Sequence, residues 1–305
     1  MPRVSVLLTC FNHAKFLPEA WTSIQRQTYR DFEVIVIDDG STDGTRDWLS
    51  SIEGEVNLVL NEKNLGTYGS LNKGLRLASG EFVAILNDDD LWQPTKLERQ
   101  VQLFDELPEL GLVHTHGTFI DGEGRQVSGA PLGFEYPKTH TGDIALDLVF
   151  ANRIIASSVL FNRELVERLG GFDDELFGSG DWNMWIRLAL QAHVGYVDEF
   201  LTKYRIHDAN ASYRFERVWQ DDVAVRTWIR SHKEEFESHS ETQDRWVEAM
   251  SHNEACLGTA LKLLGKASEA RQAYWRSIQM DPRRWKSYVR FMATFLPVGQ
   301  FRKLN

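Results

Sequence analysis

The residues of this sequence best suited to chemistry are three adjacent aspartates, Asp88–Asp90, which follow the apolar run Phe82–Leu86. A second acidic pair, Asp38–Asp39, follows another apolar run, Phe32–Ile37. Adjacent carboxylates repel one another unless a cation or solvent screens them. Because Mg²⁺ and Mn²⁺ prefer oxygen ligands and keep positions open for phosphates, the pattern predicts a divalent-cation site for a diphosphate. A solvated acidic turn would contain the same residues.

The apolar runs predict a mostly parallel sheet with helices on both faces. Four runs have the length and branched residues of buried strands: Val4–Leu8, Phe32–Ile37, Val56–Leu60 and Phe82–Leu86. Helical patterns lie between them, as in Phe16–Gln27 and Leu71–Ala78, and this alternation is typical of an α/β fold. Ligands of such sheets bind beyond the carboxyl ends of the strands. We therefore expect three strand ends to meet in one cleft: Thr9–Asn12, Asp38–Gly40 and Asn87–Asp90.

Composition narrows the class of protein. Apolar residues make up 42% of the chain and charged residues 26%, as in a globular protein with a core, and the net charge of −10 disfavours nucleic acid as a partner. The two cysteines, Cys10 and Cys256, favour a reducing compartment. The N-terminus lacks a signal-peptide pattern, and no window reaches the ~18 apolar residues of a membrane span. We therefore expect a cytoplasmic protein. The sequence also lacks G-x-G-x-x-G and G-K-[ST] motifs, which argues against dinucleotide-binding enzymes and P-loop enzymes.

The middle of the chain is less regular. Leu112–Ile120 and Ile155–Phe161 have strand patterns, and the turn residues at Asp121–Gly124 predict a hairpin. Ser128–Thr141 is expected to form a mobile loop, and Asp181–Ala192 an amphipathic helix.

The last third of the chain has a helical pattern that begins near Glu216. Leu257–Pro282 resembles one tetratricopeptide-type hairpin, which is too little for an independent repeat array. We therefore expect a first domain over residues 1–213 and a helical C-terminal region over 214–305. The tail, Tyr288–Arg302, is expected to be buried against this hairpin, with docking on a membrane surface as the alternative.

Several blocks, in order, resemble the family 2 inverting glycosyltransferases, which have the GT-A fold. On the first half of the chain they are Val4–Asn12, Val36–Thr45, Asn64–Gly66, Asn72–Leu75 and Leu86–Trp92. On the second half they are Gly170–Asp173, Gly180–Ala189 and Tyr204–Ser212. The resemblance covers roughly residues 3 to 213.

The resemblance implies roles for the strand-end residues. Asp39 is similar to the carboxylate that reads a uracil base, and Asp88 to one that faces the ribose or the metal. Asp89 matches the metal-binding carboxylate, and His207 resembles the histidine that completes the metal site in some members. Phe11 could stack on the base. The remaining residues on the nucleotide side are Thr9, Asn12, Asn64, Gly66 and Asn72.

The same resemblance assigns the acceptor side. Asp181 matches the catalytic base, which must take the proton of the acceptor hydroxyl in an inverting transfer. Gly171 and Trp182 lie in the acceptor-side motif, although Trp182 could equally pack in the core and Asp181 could be a helix cap. Many members carry an arginine where this chain has Leu71, so Lys73 or the metal would have to balance the diphosphate charge.

Taken together, the sequence predicts a metal-dependent inverting glycosyltransferase that uses Mn²⁺ or Mg²⁺. The donor is expected to be a nucleotide-diphosphate sugar, in the first place a UDP-sugar, and the acceptor a glycan or lipid-linked saccharide of the cell envelope. Two alternatives stay open. One is a nucleotidyltransferase that makes nucleotide sugars, and the other is a non-catalytic sugar-binding protein.

Overall fold

The structure is a computed structural model that describes residues 1–128, 138–210 and 213–296. Its strands are β1 (Val4–Cys10), β2 (Phe32–Asp38), β3 (Asn57–Leu60), β4 (Phe82–Asn87), β5 (Leu91–Trp92), β6 (Leu110–Ile120), β7 (Gln126–Val127), β8 (Val159–Asn162) and β9 (His193–Arg205). Its helices are α1 (Leu17–Gln25), α2 (Thr45–Leu49), α3 (Gly66–Leu77), α4 (Lys96–Glu106), α5 (Ala145–Phe150), α6 (Arg163–Arg168), α7 (Gly180–Ala189), α8 (Phe215–Ser231), α9 (Gln243–Leu263), α10 (Ala267–Met280) and α11 (Trp285–Ala293).

The strands form one mixed sheet in the order β3-β2-β1-β4-β8-β6-β9-β5, and β7 pairs with β6. The pairs β3–β2, β2–β1, β1–β4 and β6–β9 are parallel, whereas β8 is antiparallel to β4 and β6. Only β5, β7 and β8 oppose the common direction of the described strands. The mostly parallel sheet predicted from the apolar runs is thus confirmed. Every residue of β1 is buried, because helices cover both faces of the sheet there.

Two predicted elements differ in their bounds for local reasons. The helix expected at Leu71–Ala78 begins earlier, at Gly66, whose N–H donates to the Asn64 side chain at 3.0 Å. The strand expected from Ile155 begins at Val159, since the Ser158 N–H and hydroxyl both bond back to the Ile155 carbonyl in a tight turn. Most of the predicted loop Ser128–Thr141 lies outside the described residues.

The chain divides into two compact units that are not contiguous in sequence. The first comprises Met1–Asp143, Arg153–Glu175 and Arg187–Asn210, and contains the sheet. The second comprises Ile144–Asn152, Leu176–Ile186 and Ala211–Asn305. The second unit therefore takes two segments from the stretch that we assigned to the first domain, and the boundary at residue 213 stays a prediction.

The helical hairpin predicted in the second unit is present as α9 and α10. The Tyr274 ring lies so close to Gly258 that an added Cβ would be 3.0 Å from it, so the helices approach where a glycine allows it. The expectation that the tail is buried against this hairpin is wrong for Tyr288, Val289, Met292, Phe295 and Leu296, which are all exposed. Ser287 and Ala293 are buried instead, and residues 297–302 of the predicted tail lie outside the described residues. Among the described residues, no helix combines the length and apolar character needed to cross a bilayer.

Candidate functional site

The ends of β2, β1 and β4 lie side by side, as predicted. Cys10 is in register with Asp38, and Thr9 with Asn87. The chains stay together just past the strands, because the Asp39 N–H donates to the Cys10 carbonyl at 2.8 Å. The predicted cleft residues Thr9–Asn12, Asp38–Gly40 and Asn87–Asp90 therefore meet at one edge of the sheet.

Asp88 shapes the loop that follows β1. Its Oδ2 accepts the Phe11 N–H at 2.9 Å, and its Oδ1 lies 2.8 Å from Nδ1 of His13. Burial holds the pKa of the Asp88 carboxyl above its usual range, against the lowering effect of His13. Both carboxylate oxygens of Asp88 thus bond to residues of this chain. A contact of Asp88 with a ribose or a metal stays a prediction.

Asp89 and His207 come together with a third residue, His13. His207 Nε2 lies 3.1 Å from Asp89 Oδ2, and the Ala209 N–H bonds to the other ring nitrogen of His207. One ligand atom of each of these three residues lies within 4.8 Å of the others. Burial lowers the pKa of His13, but its bond to Asp88 and the charge of Asp89 raise it overall to about 9. Sequence reasoning missed His13, although its position in the loop after β1 was a usable signal.

Asp90 and Arg205 link the two chain segments that carry Asp89 and His207. Asp90 is buried and accepts the Ser157 hydroxyl at 2.5 Å and the Arg205 N–H at 2.9 Å. The buried Arg205 guanidinium donates to the Asp89 carbonyl at 2.7 Å and pairs with Glu19 at 2.8 Å. Burial and the neighbouring Asp89 charge keep the pKa of Asp90 well above its usual range. These bonds tie the end of β9, which leads to His207, to the aspartates after β4.

One carboxylate oxygen of Asp39, Oδ1, accepts hydrogen bonds from the described residues. Its Oδ1 accepts the Leu65 N–H at 2.8 Å and the Asn61 amide at 3.0 Å, whereas no described residue donates to Oδ2. Asn61 in turn accepts the Lys73 ammonium at 2.7 Å and donates to the Ser70 hydroxyl. Lys73 is therefore part of the hydrogen-bond network of Asp39, and a ligand contact by Asp39 Oδ2 stays a prediction.

Asp38 shapes the turn after β2. Its Oδ2 accepts the Arg46 guanidinium at 2.7 Å and the Ser41 N–H at 3.2 Å. Gly40 has a φ of +85°, and an added Cβ would lie 3.0 Å from the Asn64 backbone nitrogen. The close approach of two backbone segments thus requires a glycine beside Asp39.

The other predicted nucleotide-side residues line the loops around these carboxylates. The Phe11 ring is 42% exposed and is free to stack on a flat ligand. Asn12 has a φ of +55° and its Oδ1 accepts the Thr42 N–H at 2.8 Å. The Thr9 hydroxyl donates to Asn87 at 3.4 Å, and Asn64 with Gly66 forms the start of α3.

Asn72 and Gly171, predicted on the donor and acceptor sides, contact each other. Asn72 Nδ2 donates to the Phe172 carbonyl and its Oδ1 accepts the Phe172 N–H, both at 2.8 Å. Gly171 has a φ of +78°, and an added Cβ would lie 2.6 Å from Asn72 Oδ1. Their contacts give both residues a structural role within the first unit, and a nucleotide contact by Asn72 stays a prediction.

Asp181 lies in the first turn of α7, in the second unit. The Asn152 amide donates to its Oδ2 at 3.2 Å, and the N–H of Trp182 bonds to its Oδ1. Trp182 is buried, donates to the Leu148 carbonyl at 2.8 Å and lies under the Arg226 guanidinium. Of the two interpretations left open for Trp182, the contacts favour core packing.

Asp221 supports the start of α7 and was not singled out from the sequence. Its carboxylate accepts three backbone N–H groups, from Phe177 at 3.1 Å, Gly178 at 2.6 Å and Ser179 at 3.0 Å. These residues directly precede the helix that carries Asp181. Asp221 is one of two adjacent aspartates on α8, and such a pair on a helix gives no sequence signal for this long-range role.

Comparisons with known proteins agree with this arrangement. The model of the family described as glycosyl transferase family 2 matches residues 5–170. An uncharacterised glycosyltransferase of Nostoc sp. is 30% identical over 220 residues, which are 68% of this chain and 66% of that protein. One of Methanocaldococcus jannaschii is 29% identical over 211 residues, 67% of this chain and 71% of that protein. The chain thus spans about two thirds of the length of these relatives.

Two solved structures are similar in fold. A fragment of TarS from S. aureus, in complex with UDP-GlcNAc, matches with a TM-score of 0.71 and 17% identity, over 99% of this chain and 92% of that chain. The mannosyltransferase PcManGT of Pyrobaculum calidifontis, in complex with GDP-Man and Mn²⁺, matches with a TM-score of 0.60 and 21% identity, over 97% and 86%. The GT-A fold implied by the sequence is confirmed. Since the family match covers more than half of its residues, the chain belongs to glycosyl transferase family 2.

Proposed function

We propose that this protein transfers one sugar from a nucleotide-diphosphate sugar to a hydroxyl group of a glycan or lipid-linked saccharide, with inversion at the anomeric carbon. The observation that carries the proposal is the meeting of His13, Asp89 and His207 at the sheet edge that also presents Phe11 and Asp39. A cation-binding cluster beside a base-reading carboxylate suits a ligand that has both a diphosphate and a base. The fold relatives bound to UDP-GlcNAc and to GDP-Man support the same ligand class.

The residues present fit a divalent cation. Two imidazoles and one carboxylate, with ligand atoms within 4.8 Å of one another, form a mixed nitrogen and oxygen donor set. Such a set suits Mn²⁺ better than Mg²⁺, which prefers oxygen ligands alone. A cation bound there would stabilise the negative charge that develops on the leaving diphosphate. In this proposal His13 and His207 bind through ring nitrogens and Asp89 through a carboxylate oxygen.

The donor base would be read by Asp39 and Phe11. Asp39 Oδ2 accepts no hydrogen bond from the described residues and can accept one from the N–H of a uracil. The exposed Phe11 ring supplies a face for stacking. Cytosine has no ring N–H to donate at neutral pH, whereas uracil and guanine each have one. We expect a UDP-sugar as donor, and the comparison of UDP with GDP below tests that choice.

Asp181 would act as the base that takes the proton of the acceptor hydroxyl. The Asn152 amide donates to its Oδ2 at 3.2 Å and the Trp182 N–H to its Oδ1, and these two bonds orient the carboxylate. As Asp181 takes its proton, the hydroxyl oxygen forms a bond to the anomeric carbon on the face opposite the diphosphate. The bond between that carbon and the diphosphate oxygen breaks in the same step, so the nucleoside diphosphate leaves and the configuration is inverted. We expect this reaction in the cytoplasm or at the inner face of the cell membrane, in the synthesis of an envelope polysaccharide.

The donor half of the proposal is tested by thermal unfolding with UDP, GDP and their sugars, each with Mn²⁺ and with a chelator. A ligand that binds only the folded protein raises the midpoint. We expect a Mn²⁺-dependent rise with UDP that is lost in Asp89→Ala and kept in Asp31→Ala, which removes an exposed aspartate. A rise that survives the chelator would rule out the metal role.

The catalytic half is tested with Asp181→Asn. General-base catalysis contributes ~10²–10⁴-fold, so kcat should fall by about that factor while the UDP-induced rise in midpoint is unchanged. The exposed Asp174→Asn is the matched control. Transfer by Asp181→Asn within threefold of the wild type would exclude Asp181 as the base and mean that another group takes the proton.

A further inference from the structure

The last turn of α5 ends in carbonyl groups that have no partner within the helix itself. Side chains of two other helices in the second unit bond to these carbonyls. Trp182 of α7 donates from Nε1 to the Leu148 carbonyl at 2.8 Å. Arg226 of α8 donates from Nη1 to the next carbonyl, that of Val149, at 3.3 Å. The end of α5 is thereby fixed to α7 and α8.

Both groups that bond to the Asp181 carboxylate lie beside these contacts. Trp182 directly follows Asp181 in the chain, and its backbone N–H bonds to Oδ1. Asn152, whose amide donates to Oδ2 at 3.2 Å, lies two residues past the end of α5. A displacement of Trp182 or of the end of α5 would therefore move a donor away from the carboxylate.

Arg226 contacts both of these segments. Its guanidinium carbon lies 5.0 Å from the centroid of the Trp182 ring, and its Nη1 bonds to the end of α5. Only 6% of Arg226 is exposed, so water does not weaken the attraction between the cation and the ring. One buried side chain thus holds the residue after Asp181 and the helix that leads to Asn152.

The guanidinium is itself oriented by α8 and α9. Its Nε donates to Asp222, one turn earlier in α8, at 2.9 Å. The Asn253 amide of α9 donates to the Arg226 carbonyl at 2.9 Å, and Asn253 Oδ1 lies 3.5 Å from Nη1. A planar fork with several donors in fixed directions can make these bonds and stack on a ring at the same time.

We propose that Arg226 is a positioning residue for the catalytic base Asp181. It ties the segments that carry Asp181 and Asn152 to α8, and so maintains the two bonds that orient the carboxylate. The inference rests on the proposed role of Asp181 as the base. It also gives the C-terminal helices a part in the transfer reaction, because α8 and α9 hold the guanidinium.

The experiment is a double-mutant cycle of Arg226→Gln and Asp181→Asn. We measure kcat as UDP released from the UDP-sugar that gives the largest Mn²⁺-dependent rise in the thermal midpoint. A small displacement of a catalytic group can cost ~10²-fold, so Arg226→Gln alone should lower kcat about tenfold or more, with an unchanged KM for the donor. In the Asp181→Asn background it should lower kcat less than about twofold, because the carboxylate that Arg226 orients is absent.

Two further variants separate positioning from folding. Arg226→Gln leaves Asp222 without its cation, whereas Arg226→Lys keeps the charge and loses the planar fork. Arg226→Lys should therefore recover most of the stability to urea and only part of kcat. The matched control is Arg276→Gln, which removes the partner of the buried Glu254 at 2.9 Å in the same unit. It should lower the stability and keep the kcat of the wild type.

Equal losses of kcat from Arg226→Gln in the two backgrounds would overturn the proposal, because Arg226 would then act independently of Asp181. The same loss of kcat in Arg276→Gln would also overturn it. Wild-type kcat in Arg226→Gln would reject the positioning role and leave the base assignment intact. Wild-type kcat in Asp181→Asn, or no UDP release by the wild type, would instead contradict the proposed function, and the inference with it.

Discussion

His207 Nε2 lies 3.1 Å from Asp89 Oδ2, although 118 residues separate the two along the chain. Arg205 makes this approach possible, because its backbone N–H bonds to Asp90 and its guanidinium bonds to the Asp89 carbonyl. The aspartates after β4 and the end of β9 are thereby held as one structure. His13 joins them from the loop after β1, with its ring centroid 5.0 Å from that of His207.

His13→Ala should weaken Mn²⁺ binding, because it removes one of the three proposed ligands. We expect the dissociation constant for Mn²⁺ to rise at least about tenfold, which is the smallest loss usual even for residues that only orient a ligand. Electron paramagnetic resonance of free Mn²⁺ measures this without any turnover. His140→Ala, which removes an exposed histidine, is the control. Unchanged Mn²⁺ affinity in His13→Ala would show that His13 only supports Asp88.

Asp221→Asn should disturb the start of α7, because an amide has one acceptor oxygen where the carboxylate accepts three backbone N–H groups. We expect stability to fall by about 1–3 kcal/mol, and kcat to fall by about tenfold or more with an unchanged KM for the donor, as small displacements of a catalytic group can do. Urea unfolding and steady-state kinetics measure the two effects, with the exposed Asp244→Asn as control.

The kcat values of the two variants distinguish the prediction for Asp221 from the prediction for Asp181. If Asp181→Asn is inactive and Asp221→Asn has wild-type kcat, the base assignment stands and the positioning role is wrong. If Asp181→Asn is active, the base assignment itself fails.

Gly171→Ala should destabilise the first unit more than Gly170→Ala. Both glycines have a positive φ, of +78° and +84°, so each substitution strains the backbone by about 1–2 kcal/mol. Only at Gly171 would the new Cβ lie 2.6 Å from Asn72 Oδ1, which should add about 1–3 kcal/mol. Urea unfolding of both variants measures the difference.

The source of that difference can be checked in an Asn72→Ala background. Removing the Asn72 amide removes the clash, so Gly171→Ala should there cost about as much as Gly170→Ala. An equal difference in both backgrounds would show that the clash is not its cause.

His252 should make the folding stability depend on pH. Burial and the charges of Arg226, Arg284 and Arg290 lower its pKa in the folded protein to about 3, from 6.5 in the unfolded chain. Its Nδ1 accepts the Arg284 guanidinium at 2.7 Å, and its Nε2 lies 3.1 Å from the Phe150 carbonyl, so the neutral ring fits both. As the pH falls below 6.5 the unfolded chain binds a proton that the folded protein excludes, and stability falls until about pH 3.

Through His252, the free energy of unfolding falls by at most about 1.4 kcal/mol per pH unit. Urea unfolding between pH 7 and pH 5 should therefore show a shallower pH dependence for His252→Gln than for the wild type. Because glutamine can still accept from Arg284, the substitution should remove the titration with a modest loss of stability at pH 7. The same slope in both proteins would mean that His252 does not stay neutral in the folded state.

The sequence by itself determined the local elements and the place of the carboxylates. Branched apolar runs identified β1, β2 and β4 because strands buried on both faces must be apolar throughout. The position of Asp38–Asp39 and Asp88–Asp90 after such runs was enough to predict that they meet, since parallel strands end at the same edge. The order of the family motifs added the pairing of Asp89 with His207.

Only the tertiary structure decided which residues far apart in sequence touch. Packing between separate elements brings His13 into the cation cluster with Asp89 and His207. It also brings Asn72 to Phe172, and Asp221 to the start of α7. Periodicity shows that α11 has an apolar stripe, but it cannot tell whether that stripe faces inward. Small residues on the other face allow closer packing on α10, and for that reason the large apolar side chains of α11 face outward.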